Sequence, residues 1–326
     1  MQGDHVGQLQ TTFSIWRFAM RAVKFDAYGG LDVLEVREVA NPVAEPGGVV
    51  VRVKSAAINP GDIGIISGAA RQRFAAKFPS AGVGASFAGI VDAVGDGVTA
   101  WTAGDEVFGW STEKEALAEL VSVPAEHLVT KPAGLSWEVA STLYGAPSAA
   151  WSAVEAVGAA TGDTVVVSGA AGGAGGFASQ YALTKGATVI GLASEYNHDW
   201  LRSRGIIPVQ YGDGQLERIH DAAPSGIDAF VDTFGDGYID LAVELGVGID
   251  RINTITDFAG AARLGVQTKG SDSPADPRAP LTEIAAHINE GRIELPIAQT
   301  YPLEQVRDAY TELSKHHTRG KIVLLP

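Results

Sequence analysis

Residues Thr164 to Gly176, Thr-Val-Val-Val-Ser-Gly-Ala-Ala-Gly-Gly-Ala-Gly-Gly, restrict the fold more than any other stretch. The β-branched run Thr164 to Val167 is short and apolar and stops at glycine, the pattern of a buried parallel strand. Ser168 to Gly176 then makes a turn almost without side chains. A helical pattern follows, with Phe177, Gln180, Tyr181 and Thr184 ahead of Gly186. Strand, glycine turn and helix, in that order, set backbone N–H groups and a helix N-terminus against a pyrophosphate. Glycine suits the turn because positive φ costs it little and because any Cβ would hold the phosphates away. The flanking strand and helix separate this reading from a plain tight turn. Gly169, Ala171, Gly172, Gly173, Ala174 and Gly175 are the predicted contacts.

At 326 residues the chain is long for one core and natural for two. No apolar run approaches the ~20 residues of a membrane span. Residues 1–19 lack the basic start and continuous apolar core of a secretory signal. A natural start at Met20 would make them a loosely attached tail, and a cytoplasmic location is expected. The formal charge of −14 argues against nucleic acid as a partner, since phosphate binding needs a basic surface. A small anionic cofactor needs only local positive groups. Cysteine is absent, so disulfides and thiolate metal sites cannot form. His316 and His317 are the only adjacent pair of histidines, and a solvated helix end accounts for them; no metal site is predicted.

From Met20 the pattern is β. Arg21 to Phe25 alternates, Val33 to Val39 runs back, and Val49 to Val53 is a strong strand. Asn59-Pro60-Gly61-Asp62 turns into a short helix. Phe87 to Val94, Glu106 to Phe108, Leu117 to Val123 and His127 to Thr130 complete a barrel-like unit with regular turn spacing. After Lys131-Pro132 the texture changes. Ser136 caps a helix over Trp137 to Leu143, and Ser148 to Val157 is a second. Beyond the glycine turn, strands at Thr188 to Leu192, Pro208 to Tyr211, Asp228 to Asp232, Arg251 to Ile255 and Val266 to Thr268 alternate with helices. The helices are Asp199 to Arg204, Leu216 to Ala222, Tyr238 to Leu245 and Leu281 to Gly291. That alternation predicts an α/β fold, a doubly wound parallel sheet of Rossmann type. Leu303, Val306, Ala309, Tyr310 and Leu313 give a last amphipathic helix, and Lys321 to Leu325 a last strand.

Further segments recur in a known order: Ala56-Ala-Ile-Asn-Pro-Gly-Asp62, Phe87-Ala-Gly-Ile-Val-Asp-Ala-Val-Gly95, Ala103-Gly-Asp-Glu-Val-Phe-Gly109, the glycine turn, Val231-Asp-Thr-Phe-Gly235 and Thr318-Arg-Gly-Lys-Ile-Val-Leu324. With them, Met20 to Pro326 resembles the zinc-independent medium-chain dehydrogenase/reductases, in their quinone oxidoreductase branch. The resemblance implies a GroES-like β-barrel domain over 20–135 and 296–326, a Rossmann domain over 136–295, and an active site in the cleft between them. It also implies a homodimer joined along Val266 to Thr268. The implied activity is hydride transfer from a nicotinamide cofactor to a quinone or α,β-unsaturated carbonyl compound. Zinc-dependent relatives hold their metal with Cys and His. Here Asn59-Pro60 stands near the first Cys position, and Gly84-Ala85-Ser86 replaces a Gly-His-Glu run. Without a Lewis acid, alcohol oxidation is disfavoured, whereas a conjugated acceptor needs only hydrogen bonds to its developing oxyanion.

An NAD site places an Asp or Glu at the end of the second strand. Relatives that use NAD carry it directly after an Ile-Gly-Val stretch; here Ile190-Gly191-Leu192 is followed by Ala193. Ser194, Tyr196 and Asn197 offer donors, with Arg202 and Arg204 in the next helix. This is the pattern of a 2′-phosphate pocket, so NADPH is the expected cofactor. Glu195, turned inward, would oppose it, and a turn leading into a helix also explains the stretch.

Asn59 matches a family position facing nicotinamide and substrate, although Asn before Pro also starts turns. Asp62 reads as the cap of the helix that follows. Arg71, Arg73 and Lys77 fall where the family has a mobile substrate loop. Many relatives read Leu-Pro-Leu-Ala-Gly-Leu-Thr-Ala-Trp before the Rossmann turn. Aligned on Trp151, this chain has Ala149 at the Thr position, which leaves Tyr144 or Ser148 to supply a hydrogen bond. Tyr144 is either a proton donor or an interdomain packing residue. Thr233, Phe234, Thr254 and Ile255 end central strands and are candidates for the nicotinamide wall. Asp232 reads as a structural turn acid. Arg319 and Lys321 can reach the cofactor from the returning tail. Two other readings stay open: an enoyl-thioester reductase, which wants a basic entrance that the acidic charge disfavours, and a non-catalytic NADP(H)-binding sensor or structural protein.

Overall fold

The computed structural model describes residues 19–270 and 276–326. The expected tail lies outside the described residues except for Ala19, which opens the first strand. β1 (Ala19–Lys24) pairs with β2 (Glu35–Ala40), Val23 opposite Val36. β3 (Gly48–Ala57) is the strand on which the larger sheet is built. Its side chains alternate between faces. Val49, Val51 and Val53 enter the main barrel core, and Val50 meets Met20, Ala22, Ala118 and Leu120 on the other side.

α1 (Pro60–Ile66) begins with the proline whose fixed φ and missing N–H suit a first helical turn. β4 (Ser86–Val94), β5 (Glu106–Trp110), β6 (Leu120–Pro124) and β7 (Leu128–Thr130) follow. α2 (Trp137–Ser141) and α3 (Ala146–Ala156) lead to the second sheet. Ser136 Oγ caps α2 by accepting from Val139 N at 3.2 Å. α2 stops earlier than the sequence pattern suggests, because turns run from Thr142 to Gly145 before Ala146 and Pro147 open α3.

The second sheet is wholly parallel. It holds β8 (Thr164–Val167), β9 (Thr188–Ala193), β10 (Ile207–Gln210), β11 (Ala229–Asp232) and β12 (Ile252–Thr254). Between them run α4 (Gly173–Thr184), α5 (His198–Ser203), α6 (Gln215–Ala222) and α7 (Tyr238–Glu244). The strand order is β10-β9-β8-β11-β12. The winding reverses between β8 and β11, and such sheets hold ligands beyond the carboxyl ends of the strands at that point. Phe177 and Phe230, both at 0% exposure, pack the faces of this sheet, and each contributes roughly 1.5–3 kcal/mol by its burial.

α8 (Phe258–Leu264) and α9 (Arg278–Asn289) precede β13 (Ile297–Pro302), α10 (Val306–Leu313) and β14 (Lys321–Leu325). β14 returns to the first sheet, with Val323 opposite Ala57 and Leu324 opposite Ala56, and β13 lies parallel beside it. The larger sheet therefore runs β13-β14-β3-β4-β5-β7, with β6 also on β3. This is a Rossmann doubly wound sheet with a GroES-like β-barrel.

The expected strand over Val266 to Thr268 does not form. A single bridge joins Asn253 and Gln267, after which the Asn253 side chain takes Lys269 N at 2.8 Å in place of a ladder. α8 and β13 escape the hydrophobic pattern. Gly260 interrupts α8, although its Asp257 cap accepts from Gly260 N at 2.8 Å, and β13 is an edge strand with polar Gln299 and Thr300.

Candidate active site

At the end of β8, Ser168 Oγ donates to Asp232 Oδ1 at 2.6 Å and accepts from Thr233 N at 2.8 Å, locking β8 to β11. Gly169 turns at φ +59, and Gly172 N closes the turn on Gly169 O at 2.9 Å. Gly172 caps α4 with no side chain to occupy the first N–H groups of the helix. Those groups have no intrahelical acceptors and carry the positive end of the helix dipole. The remaining wall comes from the far end of the chain. Gly320 N donates to Ala171 O at 3.0 Å, and the stem of Lys321 lies over Gly173, where an added Cβ would stand 2.4 Å from its Cδ. Gly169 and the run Ala171 to Gly175 thus form a turn with no side chain larger than a methyl, flanked by the Lys321 stem, whose backbone suits a pyrophosphate.

β9 ends at buried Ala193, and Ser194 Oγ accepts from Asn197 Nδ2 at 3.1 Å. Among the described residues Asn197 Oδ1 is buried without a hydrogen-bond partner. Glu195 is exposed. Tyr196 is 79% exposed, and the Arg319 guanidinium lies 5.7 Å from the centre of its ring. The arginines expected here are occupied elsewhere: Arg202 pairs with Asp199 and Arg204 with Glu294, each at 2.9 Å. The cation at this turn comes instead from the returning tail.

Asn59 sits where β3 gives way to α1. Its backbone N donates to Asp62 Oδ2 at 2.8 Å, and Tyr310 OH donates to the same oxygen at 3.0 Å. Asp62 is buried, which raises its carboxyl above the usual range, against the two hydrogen bonds. Lys321 Nζ donates to Asn59 Oδ1 at 2.6 Å and to Ile58 O at 3.0 Å. Burial pushes this ammonium down to about 8, with Asp62 pulling the other way. The Asn59 amide lies against the backbone of Gly145, where a Cβ would stand 2.8 Å from Oδ1. Asn59 is therefore brought beside the segment that carries Tyr144 and Ser148.

Ser148 is buried in the first turn of α3. Tyr144 stacks on Trp110 of β5, ring centres 5.1 Å apart and planes 7° from parallel, and Trp110 stacks in turn on His127 at 4.7 Å. Packing is thus a geometrically defined role for Tyr144. Tyr144→Phe keeps the stack and is expected to hold turnover within about threefold, whereas losing a general acid costs ~100-fold or more. Tyr144→Ala is expected to cost ~3 kcal/mol in thermal unfolding. A collapse of turnover in Tyr144→Phe would give the phenol the proton-donor role.

Thr233 Oγ1 donates to Ser168 O at 2.7 Å, and Phe234, 46% exposed, stands beside the Gly169 turn. Thr254 is buried and donates inward to Asp232 Oδ2 at 2.7 Å, so its hydroxyl braces the wall; Ile255 N follows on Asp232 O at 3.0 Å. Across the cleft, Arg73 lies 5.5 Å from the ring centre of Phe74 and 5.8 Å from that of Phe258 of α8, and Lys114 Nζ lies 4.7 Å from that of Phe74. The loop after α1 thereby touches the Rossmann side.

A glycine-rich turn at the reversal point of a parallel sheet, met by a strand returning from a β-barrel, is the architecture of a Rossmann-type dehydrogenase or reductase. The profile of the alcohol dehydrogenase GroES-like domain matches residues 45–133, and that of the zinc-binding dehydrogenases matches 208–324. A quinone oxidoreductase of Pseudomonas aeruginosa is 30% identical over 94% of this chain and 99% of its own length. The solved quinone oxidoreductase of Coxiella burnetii superposes with a TM-score of 0.78 at 24% identity, covering 94% and 99% of the two chains, a likeness of fold. A solved NAD-dependent alcohol dehydrogenase gives 0.79 at 27% identity over 94% and 100%. The chain belongs to the medium-chain dehydrogenase/reductase family, in its quinone oxidoreductase branch. Membership supports oxidoreductase activity and implies a nicotinamide cofactor. The sequence has no Cys, and among the described residues no three His, Asp or Glu side chains converge as a metal site.

Proposed function

We propose that the chain is an NADPH-dependent, metal-free reductase that transfers hydride to a quinone or an α,β-unsaturated carbonyl compound. The observation that carries the reading is the turn after β9. Ala193 ends the strand and Ser194 follows it, where an NAD site has its acid, and Arg319 stands over Tyr196 beside them. A phosphate on the ribose would find a guanidinium and hydroxyl donors there. Bound nicotinamide would supply the hydride. The protein supplies the cradle of Gly169 and Ala171 to Gly175, a wall of Thr233 and Phe234 braced by Thr254 and Ile255, and polar groups at Asn59.

Calorimetry with each nucleotide tests the cofactor. NADPH is expected to bind at least about tenfold tighter than NADH. Arg319→Ala is expected to remove most of that difference and to leave NADH within about twofold, as loss of a charge-assisted contact worth ~1.5–3 kcal/mol requires. Equal affinities in the parent would refute the phosphate pocket. NADPH oxidation with quinones, enones and enoyl thioesters then separates reductase from sensor, since a pure binder saturates without turnover.

A further inference from the structure

Lys321 is a lysine at 4% exposure in a cleft, and burying an ammonium is costly unless its hydrogen bonds are made. Its bonds go to two neutral oxygens, Asn59 Oδ1 and Ile58 O. Asp62, the acid that bears on it, is itself engaged by Tyr310 OH and Asn59 N. A cation spent on an amide points to a task beyond packing, which a methionine would serve as well.

An ammonium donates and cannot accept. The Asn59 atom facing Lys321 must then be the oxygen, which settles an assignment that amides usually leave ambiguous. With Oδ1 held, Nδ2 is turned the other way. Gly145 lies against the whole carboxamide, where a Cβ would stand 2.8 Å from Oδ1 and 3.0 Å from Nδ2, and among the described residues no protein acceptor engages that nitrogen. The stem of Lys321 crosses Gly173 at the start of α4, so one side chain spans from the pyrophosphate cradle to Asn59.

We propose that Lys321 is a positioning residue. It holds the Asn59 carboxamide so that Nδ2–H donates to the carbonyl oxygen of the acceptor. This rests on the reductase reading above. A bound nicotinamide would supply hydride to the electrophilic carbon of the acceptor, whose π pair would then move onto the carbonyl oxygen. Asn59 Nδ2–H holds that oxyanion until a solvent proton neutralises the product.

Four variants test the proposal. Lys321→Met keeps the stem and removes the donor; Asn59→Asp keeps an acceptor for Lys321 but has no N–H; the third combines both. Each single variant is expected to lower kcat about 100-fold with KM for NADPH within about threefold, the loss typical of one oxyanion donor. The double variant is expected to fall no further, since the residues act as a unit. Lys321→Gln, which retains an N–H, is expected to recover part of the loss and substitutes for Lys321→Met if that variant does not fold. The Asn59 side-chain amide signals in the 15N spectrum of the nucleotide-free protein give a readout independent of turnover. They are expected to shift and broaden in Lys321→Met. Unchanged amide signals, an unchanged kcat or multiplicative losses in the double variant would overturn the proposal. If the parent reduces no quinone or enone, the reductase reading fails, while the amide signals still report whether Lys321 sets Asn59.

Discussion

Gly175→Ala is expected to cost about 3 kcal/mol of stability and to abolish measurable nucleotide binding, because overpacking against backbone cannot relax by a rotamer change. A Cβ on Gly175 would stand 2.2 Å from Gly169 O and 2.8 Å from Ser168 O, so α4 would have to lift from the turn. Gly172→Ala is the control. Gly172 has an ordinary extended backbone (φ −73, ψ 176), and its Cβ would come no nearer than 3.3 Å to Gly169 O. Its melting temperature is expected to stay within about 2 °C of the parent. The new methyl would nevertheless sit where the phosphates approach, and NADPH is expected to weaken at least about tenfold. Thermal melts and calorimetry on the pair separate the two roles of glycine. Unaltered binding in Gly172→Ala would sink the cradle.

Asp232→Ala is expected to be the most destabilising single change at the sheet's reversal point, by about 3–5 kcal/mol, the scale seen when a buried charged group is stripped from its partners. The carboxylate is at 0% exposure and accepts from Ser168 Oγ at 2.6 Å, Thr254 Oγ1 at 2.7 Å, Gly235 N at 2.9 Å and Phe234 N at 3.0 Å. It ties together the ends of β8, β11 and β12. Removal leaves buried N–H and O–H donors unpaired, and each is expensive to strand. Asp232→Asn is expected to lose roughly half as much, because its amide nitrogen meets donors where acceptors are needed. Thermal unfolding checks both. A melting temperature unchanged in Asp232→Ala would show that hydroxyls and backbone alone hold the three strands.

The strand, glycine turn and helix were legible because they are contiguous, lying within Thr164 to Thr184, and spacing alone orders them. The barrel strands were legible from β-branched runs such as Val49 to Val53, from the alternation of Arg21 to Phe25 and from regular turn spacing. The features that complete the site were not, because they join distant parts of the chain. Nothing near Tyr196 in sequence announces Arg319, whereas Arg202 and Arg204 lie close and are drawn off by Asp199 and Glu294. Lys321 was visible as a residue of the returning tail, but its bond to Asn59 spans 262 positions. Asp232 read as a turn acid, and only the fold shows how many donors converge on it. Val266 to Thr268 misled because a short apolar–polar run can be satisfied by one bridge and an asparagine side chain.

The pairing of β3 with β14 bears on the order of events during synthesis. On a ribosome, β6 soon covers Gly48 to Arg52 of β3, but the same flank at Ala56 and Ala57 waits for β14, which is made only after the whole nucleotide sheet. The nucleotide sheet, whose strands are contiguous in sequence, can assemble in the interval. The half that is translated first is thus completed last, and until then an exposed strand flank is open to wrong partners.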